Sequence, residues 1–527
     1  MARHVFLSAT SLCLAAMLVG CGQETREAAR YVGTAHEFGI ELRPSAVSEH
    51  PLPEHNTETY DHIVENPFLD TKSNPLSTFS IDVDTASYAN TRRMLNDGQL
   101  PLPGAVRLEE FVNYFDYSDP QPEGDGTPFS VNVEVASCPW AEGHQLVRIG
   151  LKGREFEQDE EPPCNLVFLL DVSGSMQNWN KLPLVKSAMR MLVEELDHND
   201  RVAIAVYASA SGLVLPSTPC DQKAAIMTAL DSLSAGGSTN GGEGIHLAYN
   251  VAQEQFLPEG VNRVILCTDG DFNVGTTNQS ELIRLIENKA RTGVFLSVLG
   301  FGTGNYKDST MEKLADRGNG NYGYIDTMRE ARKMLVEQLT GTLVTIAKDV
   351  KIQVDFNPAH VQAYRLLGYE NRMLRAEDFQ DDTKDAGEIG AGHTVTALYE
   401  LIPTGTKSPM TSVQPSKYQT ERDLSEAAHS DELLTVRLRY KLPDAEESQP
   451  LNVAVDQSDT PFEQASCDFQ FAASVASFGM LLRDSEHKGT ATYEDIHNIA
   501  EQNLGPDSHG FRSEFLNLVA RAEQLAR

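Results

Sequence analysis

The sequence predicts an α/β fold: a doubly wound, Rossmann-like module inserted in or flanked by a β-sandwich, with additional α-helical parts at both ends. Three observations predict it. Residues 165–170 read NLVFLL, an almost wholly apolar run that suits a central parallel strand buried on both faces. From there to about residue 343 strand-like and helical runs alternate, as a parallel sheet with helices on both faces requires. On either side the alternation gives way to strands alone: FSVNVEV and QLVRIGL before it, and VKIQVDF, VQAYRLLGY, TVTALYEL and LLTVRLRYKL after it. These suit two halves of one sandwich.

Taken in order, residues 1–20 carry Arg3 and an apolar stretch from Val5 to Val19, too short for a span and placed like a signal peptide. Residues 21–65 are polar, with Pro44, Pro51 and Pro53, and read as a tether. Residues 66–127 form an α/β segment: a strand at 78–83 and helices at 86–95 and 107–114. Asp82 and Asp84 in it could help hold calcium, or could cap the strand end and the helix; the rest of a calcium-loop motif is lacking. Residues 128–160 supply the first sandwich strands as an antiparallel pair and an acidic linker. The module spans 161–345, with further strands at 201–207, 212–215, 262–268, 293–300 and 321–325 and a closing helix at 329–343. Residues 346–455 complete the sandwich, and 456–527 end the chain with amphipathic helices at 469–483 and 511–526.

A chain of 527 residues with 40% hydrophobic content is expected to form two to four folded units. Its net charge of −33 argues against charge-driven binding to nucleic acid or an anionic membrane. Beyond Cys21 there remain Cys138, Cys164, Cys220, Cys267 and Cys467. In an oxidising compartment this odd number leaves at least one thiol free or paired between chains. Cys267 falls in an apparent buried strand, and no CxxC or His/Cys cluster suggests structural zinc.

The strand at 165–170 runs directly into Asp171, Ser173 and Ser175, with Gly174 allowing a sharp turn. An acid and two hydroxyls at the carboxyl end of a buried strand lie where open α/β sheets place their ligands. Such oxygen donors suit a hard cation such as Mg²⁺. Two further pieces follow: Thr239 in the glycine-rich SAGGSTNGGEG, and Asp269 at the end of RVILCTDGD. Together these resemble the metal-ion-dependent adhesion site of von Willebrand factor type A (VWA) domains. The resemblance implies that Ser173, Ser175 and Thr239 contact the metal, with Asp171 and Asp269 acting mainly through water. It implies Mg²⁺, or Mn²⁺ or Ca²⁺, and a protein partner whose Asp or Glu completes the coordination. In some members the last helix of the domain slides, and 329–343 would be its equivalent. Asp271 could support the site from behind or face solvent in the turn.

Leu18-Val19-Gly20-Cys21 is similar to a bacterial lipoprotein cleavage box. That implies acylation of Cys21, with Gly22 directing the protein to the outer membrane, facing the periplasm, and no membrane contact except through the lipid. Residues 364–403, with YRLLGYENRML and DAGEIGAGHTVTALYELIP, resemble the C-terminal domain of YfbK-like VWA lipoproteins. The implied role is an adhesin, scaffold or assembly factor of the cell envelope. A structural protein whose metal only stabilises the module's loops is the alternative. A hydrolase using Ser173 or Ser175 with His246 or His393 is disfavoured, because neither a G-x-S-x-G elbow nor an H-E-x-x-H helix is present. The phosphate-loop ending Gly-Lys-Ser/Thr is likewise missing from the glycine-rich stretch.

Overall fold

In a computed structural model, the structure describes residues 58–527 apart from 125, 157–160, 271–278, 305 and 408–422. The expected signal peptide, Cys21, most of the tether and Asp271 lie outside the described residues. The chain begins with β1 (Leu69–Asp70), β2 (Leu76–Ser80), α1 (Ala86–Asn96) and α2 (Leu108–Val112), then the hairpin β3 (Phe129–Ser137) and β4 (Gln145–Gly153). The central module follows: β5 (Cys164–Asp171), α3 (Leu182–Glu195), β6 (Arg201–Tyr207), β7 (Ser211–Pro219), α4 (Lys223–Ser232) and α5 (Gly241–Glu254). It continues through β8 (Val261–Thr268), α6 (Gln279–Ala290), β9 (Phe295–Phe301), α7 (Asp308–Arg317), β10 (Tyr322–Ile325), α8 (Met328–Arg332) and α9 (Leu339–Leu343). Then come β11 (Thr345–Phe356), β12 (Val361–Leu367), β13 (Met373–Leu374), β14 (Gly387–Gly390), β15 (Thr394–Pro403), β16 (Glu432–Lys441) and β17 (Gln449–Asp456). Three helices close the chain: α10 (Cys467–Leu482), α11 (Tyr493–Gln502) and α12 (Phe511–Ala526).

The module's sheet has the order β10-β9-β8-β5-β6-β7. Its pairs are parallel except β6 with the edge strand β7. Every residue of β5 is buried, as its unbroken apolar run requires. The chain leaves β5 toward β6 on one side and returns on the other side as β8. The carboxyl ends of β5 and β8 therefore flank the switch point, where an open α/β sheet leaves a crevice.

The hairpin before the module and the strands after it do share one sandwich. One sheet runs β1-β12-β15-β4-β3, and the other β13-β2-β11-β16-β17, with β14 also on β11. Between the sheets Phe356 stacks on Tyr364 with centroids 4.0 Å apart, and both face Tyr399. The early segment is built into both bodies. β2 pairs with β11, while Asp84 Oδ1 accepts the Tyr322 N–H of β10 at 2.8 Å, satisfying an otherwise open sheet edge.

Two helices differ from expectation. The closing helix expected at 329–343 is interrupted: a π-helical turn at Lys333–Glu337 separates α8 from α9. Lys333 points its amine 4.0 Å from the Tyr114 ring centroid, and His393 presses against Gly341, where a Cβ would lie 2.3 Å from the imidazole. Contacts from two other parts of the chain thus hold this stretch, one at the first residue of the wide turn and one beyond it. Helix α10 is not amphipathic. Phe469 and Phe471 through Met480 are all buried, because α2, α11 and the Phe515 face of α12 surround it. α11 itself has no counterpart among the expected helices.

Candidate metal centre

The register of the sheet sets the crevice floor. Asp171 pairs with Tyr207 of β6 across one side, and Leu170 with Cys267 of β8 across the other, which brings Thr268 beside Asp171. Asp171 is fully buried. Its Oδ1 accepts the Ser173 N–H at 2.8 Å, and Oδ2 accepts the Thr268 hydroxyl at 3.4 Å. The first of these bonds bends the chain immediately after the strand and leads into a single 3₁₀ turn, Gly174–Gln177. The turn brings Ser173 Oγ within 3.0 Å of Ser175 Oγ. Ser173 is buried, Ser175 exposed.

The glycine-rich loop lies over this turn. Gly174 N–H donates to Gly237 O at 2.9 Å, and Gly236 N–H to Val172 O at 2.7 Å. Gly237 has φ +87°, and a Cβ there would lie 2.5 Å from Ser209 Oγ, so glycine is needed for the approach. Thr239 follows in the same loop, half-buried, just before α5. Among the described residues no hydrogen bond joins its hydroxyl to the other four candidates.

Asp269, just past β8, is also fully buried. Its Oδ2 lies 3.0 Å from the ammonium of Lys181, itself buried at the start of α3. Among the described residues no lysine or arginine forms an ion pair with Asp171. Burial lifts the Asp171 carboxyl from its usual range to about 6; the Ser173 bonds pull it down and the Asp269 charge pushes it up. A buried carboxylate with hydroxyl neighbours and a second carboxylate close by is an environment that a hard divalent cation would relieve. The donor set, all oxygen, fits that class of ion.

The structure therefore draws Asp171, Ser173 and Ser175 together, sets Asp269 at the adjoining strand end, and lays the Thr239 loop over the turn. Lys181, Tyr207 and Thr268 also belong to the site and were not singled out in the sequence. Tyr207 and Thr268 could have been read as the residues beside Asp171 on the neighbouring strand ends. Lys181 gives no such signal, since its partner is remote in sequence. Trp179, in the same turn region as Ser175, is 78% exposed. His246 is exposed on α5, whereas His393 is half-buried with its ring against Gly341, and desolvation pushes its imidazole down to about 4. Among the described residues neither is hydrogen-bonded to Ser173 or Ser175.

Asp82 and Asp84 sit elsewhere, in a second acidic cluster. Carboxylate oxygens of Asp82, Glu110 and Glu312 lie within 4.8 Å of one another. Arginines already occupy this cluster: Arg107 reaches Glu312 at 2.6 Å, Asp308 at 3.0 Å and Glu110 at 3.1 Å, and Arg372 reaches Asp82 at 3.2 Å. It joins the early helices, the module and the sandwich.

Comparison with known proteins places the chain in a family. The von Willebrand factor type A domain model matches residues 165–340, a von Willebrand factor model matches 54–148, and the model "Uncharacterized protein YfbK, C-terminal" matches 341–525. The chain is 43% identical over 473 residues to "Uncharacterized protein YfbK" of Escherichia coli (strain K12), covering 89% of this chain and 81% of that protein. The chain belongs to the YfbK family. The central module is accordingly a VWA domain, a fold used in protein interaction and adhesion and commonly holding a metal at this crevice. Weaker similarity, 34% over 166 residues, links it to human inter-alpha-trypsin inhibitor heavy chain H4, over 29% of this chain and 17% of that protein. Among solved structures, mussel proximal thread matrix protein 1 with a zinc-occupied MIDAS motif is 23% identical with a TM-score of 0.27, over 34% of this chain and 45% of that one. None of these relatives indicates an enzymatic activity.

Proposed function

We propose that this YfbK-family protein binds another protein of the cell envelope through a divalent cation, Mg²⁺ foremost, held at Asp171, Ser173, Ser175, Thr239 and Asp269. The observation that carries the reading is the meeting of the Asp171–Ser175 turn, the Thr239 loop and the Asp269 strand end at one switch-point crevice. The bound cation would offer an open position to a partner's Asp or Glu. The chain's part is to bring hydroxyls to the surface side, to keep the two aspartates buried behind them, and to hold the loops in register. Trp179 stands exposed beside the turn. A large aromatic side chain there suits an interface anchor. The motif around Cys21 supports a lipid anchor at the outer membrane, facing the periplasm, which would keep the VWA domain near envelope partners.

The test uses the chain without Cys21 as bait in envelope extract, in Mg²⁺ and in EDTA, beside an Asp171→Ala variant shown to be folded. A protein retained only by the wild type in Mg²⁺ supports the reading. Equal retention in all conditions rejects the metal bridge in favour of a scaffold using another face. For the anchor, Cys21→Ser should move the protein from the membrane fraction to the soluble one; unchanged fractionation rejects lipidation.

A further inference from the structure

Lys181 is not explained by its own helix. It precedes α3, and a cation at a helix N-terminus opposes the helix dipole. Its stem is nevertheless accommodated with care. Gly302, in the turn after β9, has φ +75°, and a Cβ on it would lie 2.4 Å from Lys181 Cγ and 2.5 Å from Cε. Only glycine leaves that path open. The turn is fixed in turn by the Tyr324 hydroxyl, which donates to Gly302 O at 2.6 Å. The path ends at Asp269, with the ammonium 3.0 Å from Oδ2 and both side chains at most 5% exposed. Three separate elements thus deliver one positive charge to one of the two carboxylates in the crevice.

We infer that Lys181 is a built-in rival of the metal: its ammonium neutralises Asp269, so that the VWA domain by itself holds a divalent cation weakly. The inference rests on the reading of Asp171 and Asp269 as the cation's carboxylates. Lys181 lowers the net negative charge of the pair by one, and a divalent ion entering the crevice meets a fixed ammonium as well. A partner's carboxylate then supplies charge that the domain lacks. This places the coupling between cation and partner in a residue outside the five-residue motif.

The probe is Mn²⁺ alone, titrated into the full-length protein and followed by the electron paramagnetic resonance signal of free Mn²⁺. Lys181→Met removes the charge and keeps the bulk of the stem. Lys181→Gln also keeps a donor for Asp269, and guards against the case in which the Met variant fails to fold. Removing one unit charge from a buried site is expected to tighten Mn²⁺ binding by roughly tenfold or more in both. Lys181→Arg, which retains the charge, should bind as the wild type does. Mn²⁺ binding by folded Met or Gln variants that is unchanged or weaker, with wild type binding and Asp171→Ala not, overturns the role of Lys181 while leaving the metal site standing. If neither wild type nor the variants take up Mn²⁺, the metal site itself is rejected, and the inference with it.

Discussion

Two acidic clusters in this molecule are built from similar residues and end as opposites. The junction cluster gathers Asp82, Glu110, Asp308 and Glu312 around the guanidiniums of Arg107 and Arg372. It is sealed, and it ties the early helices and the sandwich to the VWA domain. The crevice cluster holds two buried aspartates behind two serines, with the Lys181 ammonium on Asp269 and an exposed tryptophan in the same turn region. Carboxylates surrounded by arginines act as a clasp. Carboxylates at a sheet's switch point, fronted by hydroxyls, are placed to meet something from outside. The difference lies in position and counter-charge rather than in the acids.

The largest expected effect is at the clasp. Arg107→Ala leaves three buried carboxylates without their shared guanidinium and should cost about 3–5 kcal/mol in denaturant unfolding. A loss under about 1 kcal/mol would mean the cluster is not a clasp.

The pH dependence should come next. Burial lifts the Glu312 carboxyl to about 7 against the pull of Arg107 and Arg372, helped by Asp308. Because the folded pKa lies above the unfolded one, Glu312's contribution is complete below about pH 4.5 and is lost as pH rises through 7. Wild type should therefore lose about 3 kcal/mol relative to Glu312→Gln between pH 4.5 and 8, read from unfolding curves at each pH. Parallel curves for the two proteins would show that Glu312 is already charged when buried.

The crevice should behave in the other direction. Asp171→Asn removes a buried charge that has no ion-pair partner among the described residues. In EDTA it should be as stable as wild type or more so, by about 1 kcal/mol, while losing Mn²⁺ binding. A variant destabilised like Arg107→Ala would erase the contrast between the clusters. The smallest effect on folding is expected at Trp179: Trp179→Ala should change stability by less than about 0.5 kcal/mol. The same change should weaken partner binding by about 2 kcal/mol, if the partner lies on this face. The chain has only two tryptophans, and Trp140 is buried, so acrylamide quenching of fluorescence should report chiefly on Trp179.

Most of the VWA domain was legible because its signals are local. The β6 boundaries coincide with RVAIAVY, and β5 and β8 differ from their expected ends by only a residue or so. The Asp171–Ser175 turn could be read because strand, acid, glycine and hydroxyls are consecutive. The closing helix misled: nothing in its own residues announces that Tyr114 meets the first residue of a π turn and His393 the stretch beyond it. Helix α10 misled for a related reason. Its Phe471, Val475, Phe478 and Leu482 mark one apolar stripe, but Ala472, Ala473, Ala476 and Gly479 are small enough to be buried on the remaining sides.

By itself the amino-acid sequence determined the elements whose cause is short-range: apolar runs long enough to be central strands, a glycine at the turn, and oxygen-bearing side chains placed at strand ends. Tertiary structure alone decided which charges meet. Lys181 and Asp269 stand 88 residues apart and Arg107 and Asp308 201, and the carboxylate of Asp84 meets the backbone N–H of Tyr322, 238 residues away. Their pairing follows from the strand order and from the early segment folding back on both bodies. A side chain's type says that it carries charge; only the folded chain says whether another group or solvent balances it, and that balance separates the clasp from the crevice.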